Sequence, residues 1–310
     1  MAAPQPSNSN RLASRLAYWV LPEGVRNALR NHRRNTAPAR PAAPGNPRDA
    51  EAIQRAGANL ELRGRHAQQR CFILATGPSL GRQNLEPLRN ELCIGVSFFF
   101  LHPQAKVVRP KYHVVAPNHP PFDFTLPKRY FSGLTENYDP STEVLYGYAT
   151  YPYSCLDCLD SHPQAWNRPL RIVNYTGAKE LTETSVESES AWDLTGRPFL
   201  VRTVIYSAIQ LAVYLGCNQI YLLGCDHDYL ADVKRTENHF YQESKGNPDD
   251  RHHLEAFTTE RWFQEYHRRW RDYRLMRTAL EKRGIQIINA TDGGMLDVFP
   301  RVSLASLFPA

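Results

Sequence analysis

Apolar residues between positions 70 and 120 fall in three short runs, within "RCFILAT", "ELCIGVSFFF" and "KYHVVAPNH", each closed by polar or turn-forming residues. Runs of this length predict strands buried on both faces rather than amphipathic helices. The pattern changes at "RTVIYSAIQLAVYLGCNQIYLLGCDHDYL". There Val204, Ile205, Ala208, Ile209, Leu211, Ala212 and Leu215 cover most of a helix surface, and Gly216 stops the helix. Residues 219–223 then form a strand that leaves through Gly224-Cys225-Asp226. A helix that feeds an apolar strand is one half of a parallel-sheet unit. A longer helix is predicted from about 253 to 282, with Phe263, Tyr266, Trp270, Tyr273 and Leu280 as an aromatic stripe facing the core. After Gly284, "IQIINAT" is the last strand and "TDGG" turns the chain. The alternation predicts an α/β, Rossmann-like fold with a mostly parallel sheet and helices on both faces.

Two segments fall outside that alternation. Residues 120–198 are rich in Tyr, Pro and Ser, with only short apolar pieces near 143–145 and 170–173, and read as an irregular insertion on the substrate side. Residues 1–65 form a basic tail and linker, with "APARPAAPGNPR" as its Ala/Pro-rich part, ahead of a transferase domain at 66–310. Within the tail, residues 11–34 gather Leu12, Leu16, Trp19, Val20 and Leu21 in a basic frame that Pro22 interrupts. Such a segment suits peripheral contact with an anionic membrane; a solvated tail is the alternative.

The chain has 310 residues, 42% of them hydrophobic, which suffices for one large α/β domain or two small ones. Its formal net charge of +6 suits anionic partners. Nucleic acid is not expected among them, because "HRRWRDYR" alternates cations with core aromatics as a solvated helix face does. No apolar stretch has the length of a transmembrane helix, and the first residues lack the apolar core of a secretory signal. Six cysteines are scattered along the chain, four of them in or beside apolar runs where a buried thiol is expected, and they suit a reduced, cytoplasmic protein, peripheral at the inner face of a membrane if the tail binds there. Cys155 and Cys158 have the spacing of half a zinc site, with no second pair to complete it.

Ligands of open α/β sheets sit beyond the carboxyl ends of the strands. Four polar clusters follow strands here: Thr76-Gly77-Pro78-Ser79, Ser97, Pro117-Asn118-His119, and Gly224-Cys225-Asp226-His227. The first is neither a Walker loop nor a G-x-G-x-x-G turn, but its backbone N–H groups are candidates to meet a phosphate. In "GCDHDYLADVKRTENHFY", Asp226, His227, Asp228 and His239 offer either a metal site or an acid–base set, flanked by Tyr229, Phe240 and Tyr241.

These stretches carry a resemblance. "ILATGPSL", "GVSFFF", "LAVYLGCNQIYLLGCDHDYL", "ENHFY" and "NATDGGMLDVFPRVSLASLF" resemble the DUF115 family, whose members are similar to the 6-hydroxymethylpterin diphosphokinase MptE. The "GPSL" turn and the "LGCNQIYLLGCD" unit also resemble bacterial sialyltransferases of the Campylobacter type. The likeness spans roughly 70–120 and 199–310. It implies a glycosyltransferase that uses a nucleotide-activated, CMP-linked donor and needs no metal, with a glycan or lipid-linked acceptor in polysaccharide biosynthesis. By that resemblance Thr76, Gly77, Pro78, Ser79, Ser97, Asn118, Thr203 and Gly224 bind the nucleotide. His239 is the general base, Tyr229 and Tyr241 support the leaving phosphate, and Asp226 completes the catalytic set. Thr76, Ser97 and Val204 depart from the family pattern, where Asn, Asn and Ser are expected. Two alternatives stand beside this one. The first is an ATP- and Mg²⁺-dependent diphosphokinase in which Asp226, His227 and Asp228 hold the metal. The second is a nucleotide-sugar or polysaccharide-binding module without catalysis.

Overall fold

The computed structural model describes residues 47–118, 122–150, 153–177, 180–200, 202–228, 230–231, 239–241 and 258–308. Its centre is a seven-stranded sheet in which every pairing is parallel. The strands are β1 (Arg70–Leu74), β2 (Leu92–Val96), β3 (Tyr112–Val115), β4 (Glu143–Tyr148), β5 (Leu170–Asn174), β8 (Gln219–Leu223) and β9 (Gln286–Asn289). Their spatial order is β5-β4-β3-β2-β1-β8-β9. The chain moves outward from β1 to β5, then returns to the other side of β1. The reversal places the topological switch point between the carboxyl ends of β1 and β8, where open α/β sheets form their ligand crevice. This is the Rossmann-like architecture that the apolar runs predict.

Five helices matter here: α1 (Pro47–Ala56), α2 (Thr125–Asn137), α3 (Cys155–Ser161), α4 (Val204–Tyr214) and α5 (Thr259–Glu281). The central strand β1 is buried from Cys71 to Leu74, as a strand covered on both faces must be. One face packs against α4 and α5 through Ile73, Tyr206, Ile209, Tyr273 and Met276. The other packs against α2 and α3 through Phe72, Phe99, Phe131, Tyr146 and Leu156. Every residue of α4 from Ile205 to Tyr214 is buried, which explains its all-round apolar surface. Gly216 ends it at φ +87°, and Cys217 N donates to Ala212 O at 3.0 Å, a Schellman closure that needs a residue free of a Cβ.

Three expectations change. Residues 120–198 are not an excursion from the sheet, because β4 and β5 are two of its seven strands. Their apolar signal is thin because β5 is an edge and the pair carries a diagonal ion pair, in which Arg171 Nε donates to Glu143 at 2.7 Å. What stands apart is a two-stranded ladder of β6 (Thr176–Gly177) and β7 (Phe199–Leu200). The fold also begins ahead of residue 66. Ala52, Ala56 and Leu62 are fully buried, and Asn59 Nδ2 donates to Ile172 O at 2.8 Å and Leu194 O at 2.9 Å. Finally, Phe263 is exposed and Trp262 buried, so the stripe on α5 runs through Trp262, Tyr266, Tyr273, Met276 and Leu280. The six cysteines are buried and free; Cys155 and Cys158 lie on α3, whose start is fixed by the Ser154–Asp157 capping box. The basic tail at 11–34 lies outside the described residues. Among the described residues no helix is long and apolar enough to cross a membrane.

Candidate functional site

The exit turns of β1 and β8 are laced together. Ala75 N donates to Leu223 O at 2.9 Å, and Gly77 N donates to Gly224 O at 2.8 Å. Gly224 bends the second turn at φ +66°, which brings Asp226 back over the first. The Asp226 carboxylate then accepts from Ser79 N at 3.1 Å and from Ser79 Oγ at 2.8 Å. Asp226 is buried, and burial raises its carboxyl pKa above the ordinary range although both Ser79 bonds favour the anion. Its carbonyl accepts from Met295 N at 2.8 Å, so the "TDGG" turn closes the back of the site.

These bonds correct one expectation and explain another. The N–H groups of Gly77 and Ser79 are used within the protein, so the first turn does not offer them to a phosphate. Gly77 has an ordinary φ of −62°, and its need is for space rather than conformation. A Cβ there would overlap Asp226 Oδ2 and stand 2.5 Å from Gly224 O, a backbone atom. Gly77→Ala is therefore expected to cost at least 1–3 kcal/mol, the usual range for overpacking, read as a lower urea midpoint. Gly57→Ala, where a Cβ meets nothing within 4 Å, should leave the midpoint nearly unchanged. Equal midpoints for the two variants would contradict the packing described here.

Residues 239–241 dock onto the β1 exit. His239 Nδ1 lies 2.9 Å from Thr76 Oγ1, and Phe240 N donates to Thr76 O at 3.0 Å. The Tyr241 ring stacks on His239 with centroids 4.9 Å apart and planes 1° from parallel. Phe98 meets Tyr241 edge-on at 5.7 Å, and His102 meets Phe240 at 5.0 Å. The aromatic shelf under this tripeptide thus comes from the residues that follow β2. Its presence is not apparent from "SFFF" alone, which reads as the end of a strand.

The structure brings Thr76, Gly77, Pro78, Ser79, Gly224, Asp226, His239 and Tyr241 to one place. Ser97 sits at the exit of β2 with φ +50°, and its carbonyl is 3.0 Å from His113 Nε2. Asn118 follows β3 but is committed to the fold: its Oδ1 accepts from Tyr146 OH, and its Nδ2 donates to Tyr153 O at 3.2 Å. Thr203 is the N-cap of α4, its Oγ1 accepting from Ile205 N at 3.4 Å. Tyr229 and His119 lie outside the described residues.

Asp226 and His227 turn to opposite sides of the β8 exit. Asp226 turns toward Ser79, whereas His227, at φ +49°, puts Nε2 2.8 Å from Tyr273 OH on α5. Burial, and then the nearby Arg269 cation, hold the His227 imidazole well below its ordinary pKa. Among the described residues no group of three or more His, Cys, Asp or Glu is placed to hold a metal ion. Asp226 and His227 are thus turned to different partners and do not face one another.

No family model matches the chain, and no curated protein does. Among solved structures, it is similar to the sialyltransferase CstII from Campylobacter jejuni in complex with cytidine-5'-monophosphate. That match has 12% identity and a TM-score of 0.41, and covers 76% of this chain and 86% of that one. The monofunctional α-2,3-sialyltransferase Cst-I from Campylobacter jejuni matches at 15% identity and a TM-score of 0.45, over 76% of this chain and 80% of its own. At this level of similarity no residue role passes from those proteins to this chain.

Proposed function

We propose that this protein is a glycosyltransferase that moves a sugar from a nucleotide-activated donor, CMP-linked, to a hydroxyl of a glycan or lipid-linked acceptor. The observation that carries the reading is the convergence of Thr76, His239 and Asp226 on the switch point between β1 and β8. With His239 Nδ1–H donating to Thr76 Oγ1, the imidazole is held in the tautomer that carries its lone pair on Nε2, the form that acts as a base. It takes the acceptor hydroxyl proton as that oxygen attacks the anomeric carbon, and the bond from that carbon to the phosphate oxygen breaks with its electron pair. The nucleotide monophosphate leaves with Tyr241 and Tyr229 supporting its charge, by positioning and electrostatics rather than covalent chemistry. Asp226 acts on the scaffold, fixing the Ser79 turn. The nucleotide itself is assigned to the surfaces of Thr76–Ser79, Ser97, Thr203 and Gly224, with Asn118 shaping the wall beside β3.

A thermal-shift panel with CMP, CDP, UDP, GDP and ATP, each with and without Mg²⁺, tests this directly. Stabilisation by CMP or CDP that ignores Mg²⁺ is expected. Stabilisation by ATP with Mg²⁺ alone would replace the reading with a diphosphokinase. Nucleotide binding without turnover over a donor panel would reduce it to a binding module.

A further inference from the structure

At the edge of the buried stripe of α5 sits a half-buried arginine, Arg269. It falls between Tyr266 and Tyr273 along the helix. Its guanidinium carbon is 5.5 Å from the centre of the Tyr266 ring, and its carbonyl accepts from Tyr206 OH at 2.9 Å. The Nε and Nη1 atoms are buried and have no hydrogen-bond partner among the described residues. Three N–H bonds of a permanent cation therefore point at no acceptor.

Acceptors are close along the helix, and they go elsewhere. Glu265, four residues before, pairs with Arg202 at 2.7 Å and Arg268 at 2.8 Å. Asp272, three residues after and fully buried, pairs with Arg202 at 3.1 Å and Arg271 at 3.0 Å. Arg277 has Glu281 at 2.7 Å and the Val298 carbonyl at 2.6 Å. Helix α5 thus supplies counter-charges to its other buried or half-buried arginines and withholds one from Arg269. The level of Arg269 is set by its neighbours: Trp270 and Tyr273 place their rings 6.0 Å and 5.6 Å from His227, the residue after Asp226. The uncompensated guanidinium therefore lies beside the exit of β8, on the helix side of the switch point.

We propose that Arg269 is a binding residue for an oxyanion, a carboxylate or phosphate group of the ligand that occupies this end of the sheet. A guanidinium presents parallel N–H donors that match such a group, and here Nε and Nη1 are dehydrated in advance with the Tyr266 ring beside them. Leaving dehydrated N–H groups of a half-buried cation unpaired disfavours the empty protein, and a ligand anion removes that penalty on binding. The inference deepens the transferase reading by requiring an anionic substituent on the substrate, and it also stands for a ligand of another class.

The test compares wild type with Arg269→Gln by thermal denaturation. Inorganic phosphate and pyruvate are added at millimolar concentration in separate arms, with ionic strength held constant by sodium chloride. Wild type is expected to gain a few degrees with one of the two anions, which identifies the group, and Arg269→Gln is expected to gain none. Without anion, Arg269→Gln should melt at the same temperature as wild type or higher; a clearly lower value would make Arg269 a structural residue and overturn the proposal. An equal response in both proteins, or none in wild type, would overturn it too. CMP binding is measured in parallel on both: its absence from wild type sinks the transferase reading while leaving the anion result to be judged alone.

Discussion

Stability is expected to fall steeply as pH drops below 6.5, well before most carboxylates titrate, because two imidazoles are locked in the fold in the neutral form. His113 is fully buried on β3, with Nε2 3.0 Å from Ser97 O and Nδ1 3.2 Å from Tyr138 OH. Neutral imidazole satisfies both contacts: Nε2–H donates to the carbonyl and Nδ1 accepts from the phenol. Gly95 makes room for the pair, since a Cβ there would stand 2.5 Å from Tyr138 OH and 2.9 Å from His113 Nδ1. Burial pushes the His113 pKa down to about 3 from an ordinary 6.5. The unfolded chain therefore takes up a proton that the folded one refuses, and stability is lost as pH falls from 6.5 toward 3. The full separation corresponds to about 5 kcal/mol, of which roughly 3 kcal/mol is lost by pH 4.5. His227, buried and likewise depressed, adds a loss of the same sign. Urea midpoints from pH 7.5 to 4.5 should show this slope, and His113→Gln should lower the midpoint at pH 7.5 while flattening the slope by about one proton. A variant with the wild-type slope would refute the assignment. Since Ser97 leans on His113, the site would loosen at the same pH.

The fold was legible because parallel strands buried on both faces advertise themselves as apolar runs, and β1, β2, β3, β8 and β9 all do. β4 and β5 were obscured because β5 is an edge strand and the ion pair of Glu143 with Arg171 joins the two. The candidate turns were legible because polar residues that follow a strand in such a sheet face the crevice. Their mutual bonds were not, for Ser79 and Asp226 stand 147 residues apart in sequence. The withheld counter-charge of Arg269 was equally hidden. Sequence places carboxylates at suitable helical spacings from it, and only the packing of Arg202, Arg268 and Arg271 shows that they are taken.

His239→Gln should lower turnover by about 10²–10⁴-fold, the usual contribution of a positioned general base, while nucleotide binding changes little. Glutamine keeps a polar atom within reach of Thr76 Oγ1, so the variant removes the basic lone pair more than the docking of residues 239–241. Those residues are also held by the Phe240 N to Thr76 O bond and by the shelf of Phe98 and His102, none of which the substitution touches. Thr76→Val provides the complementary case. It leaves the imidazole in place but deletes the hydroxyl that selects its tautomer, so a smaller loss in kcat is expected, together with a change in nucleotide affinity because Thr76 also lines the nucleotide surface. The two effects should not add, because a histidine without its orienting partner and a glutamine with it fail at the same proton transfer. Full activity in His239→Gln would dismiss the base assigned here, and a double variant that multiplies the two single losses would separate Thr76 from His239.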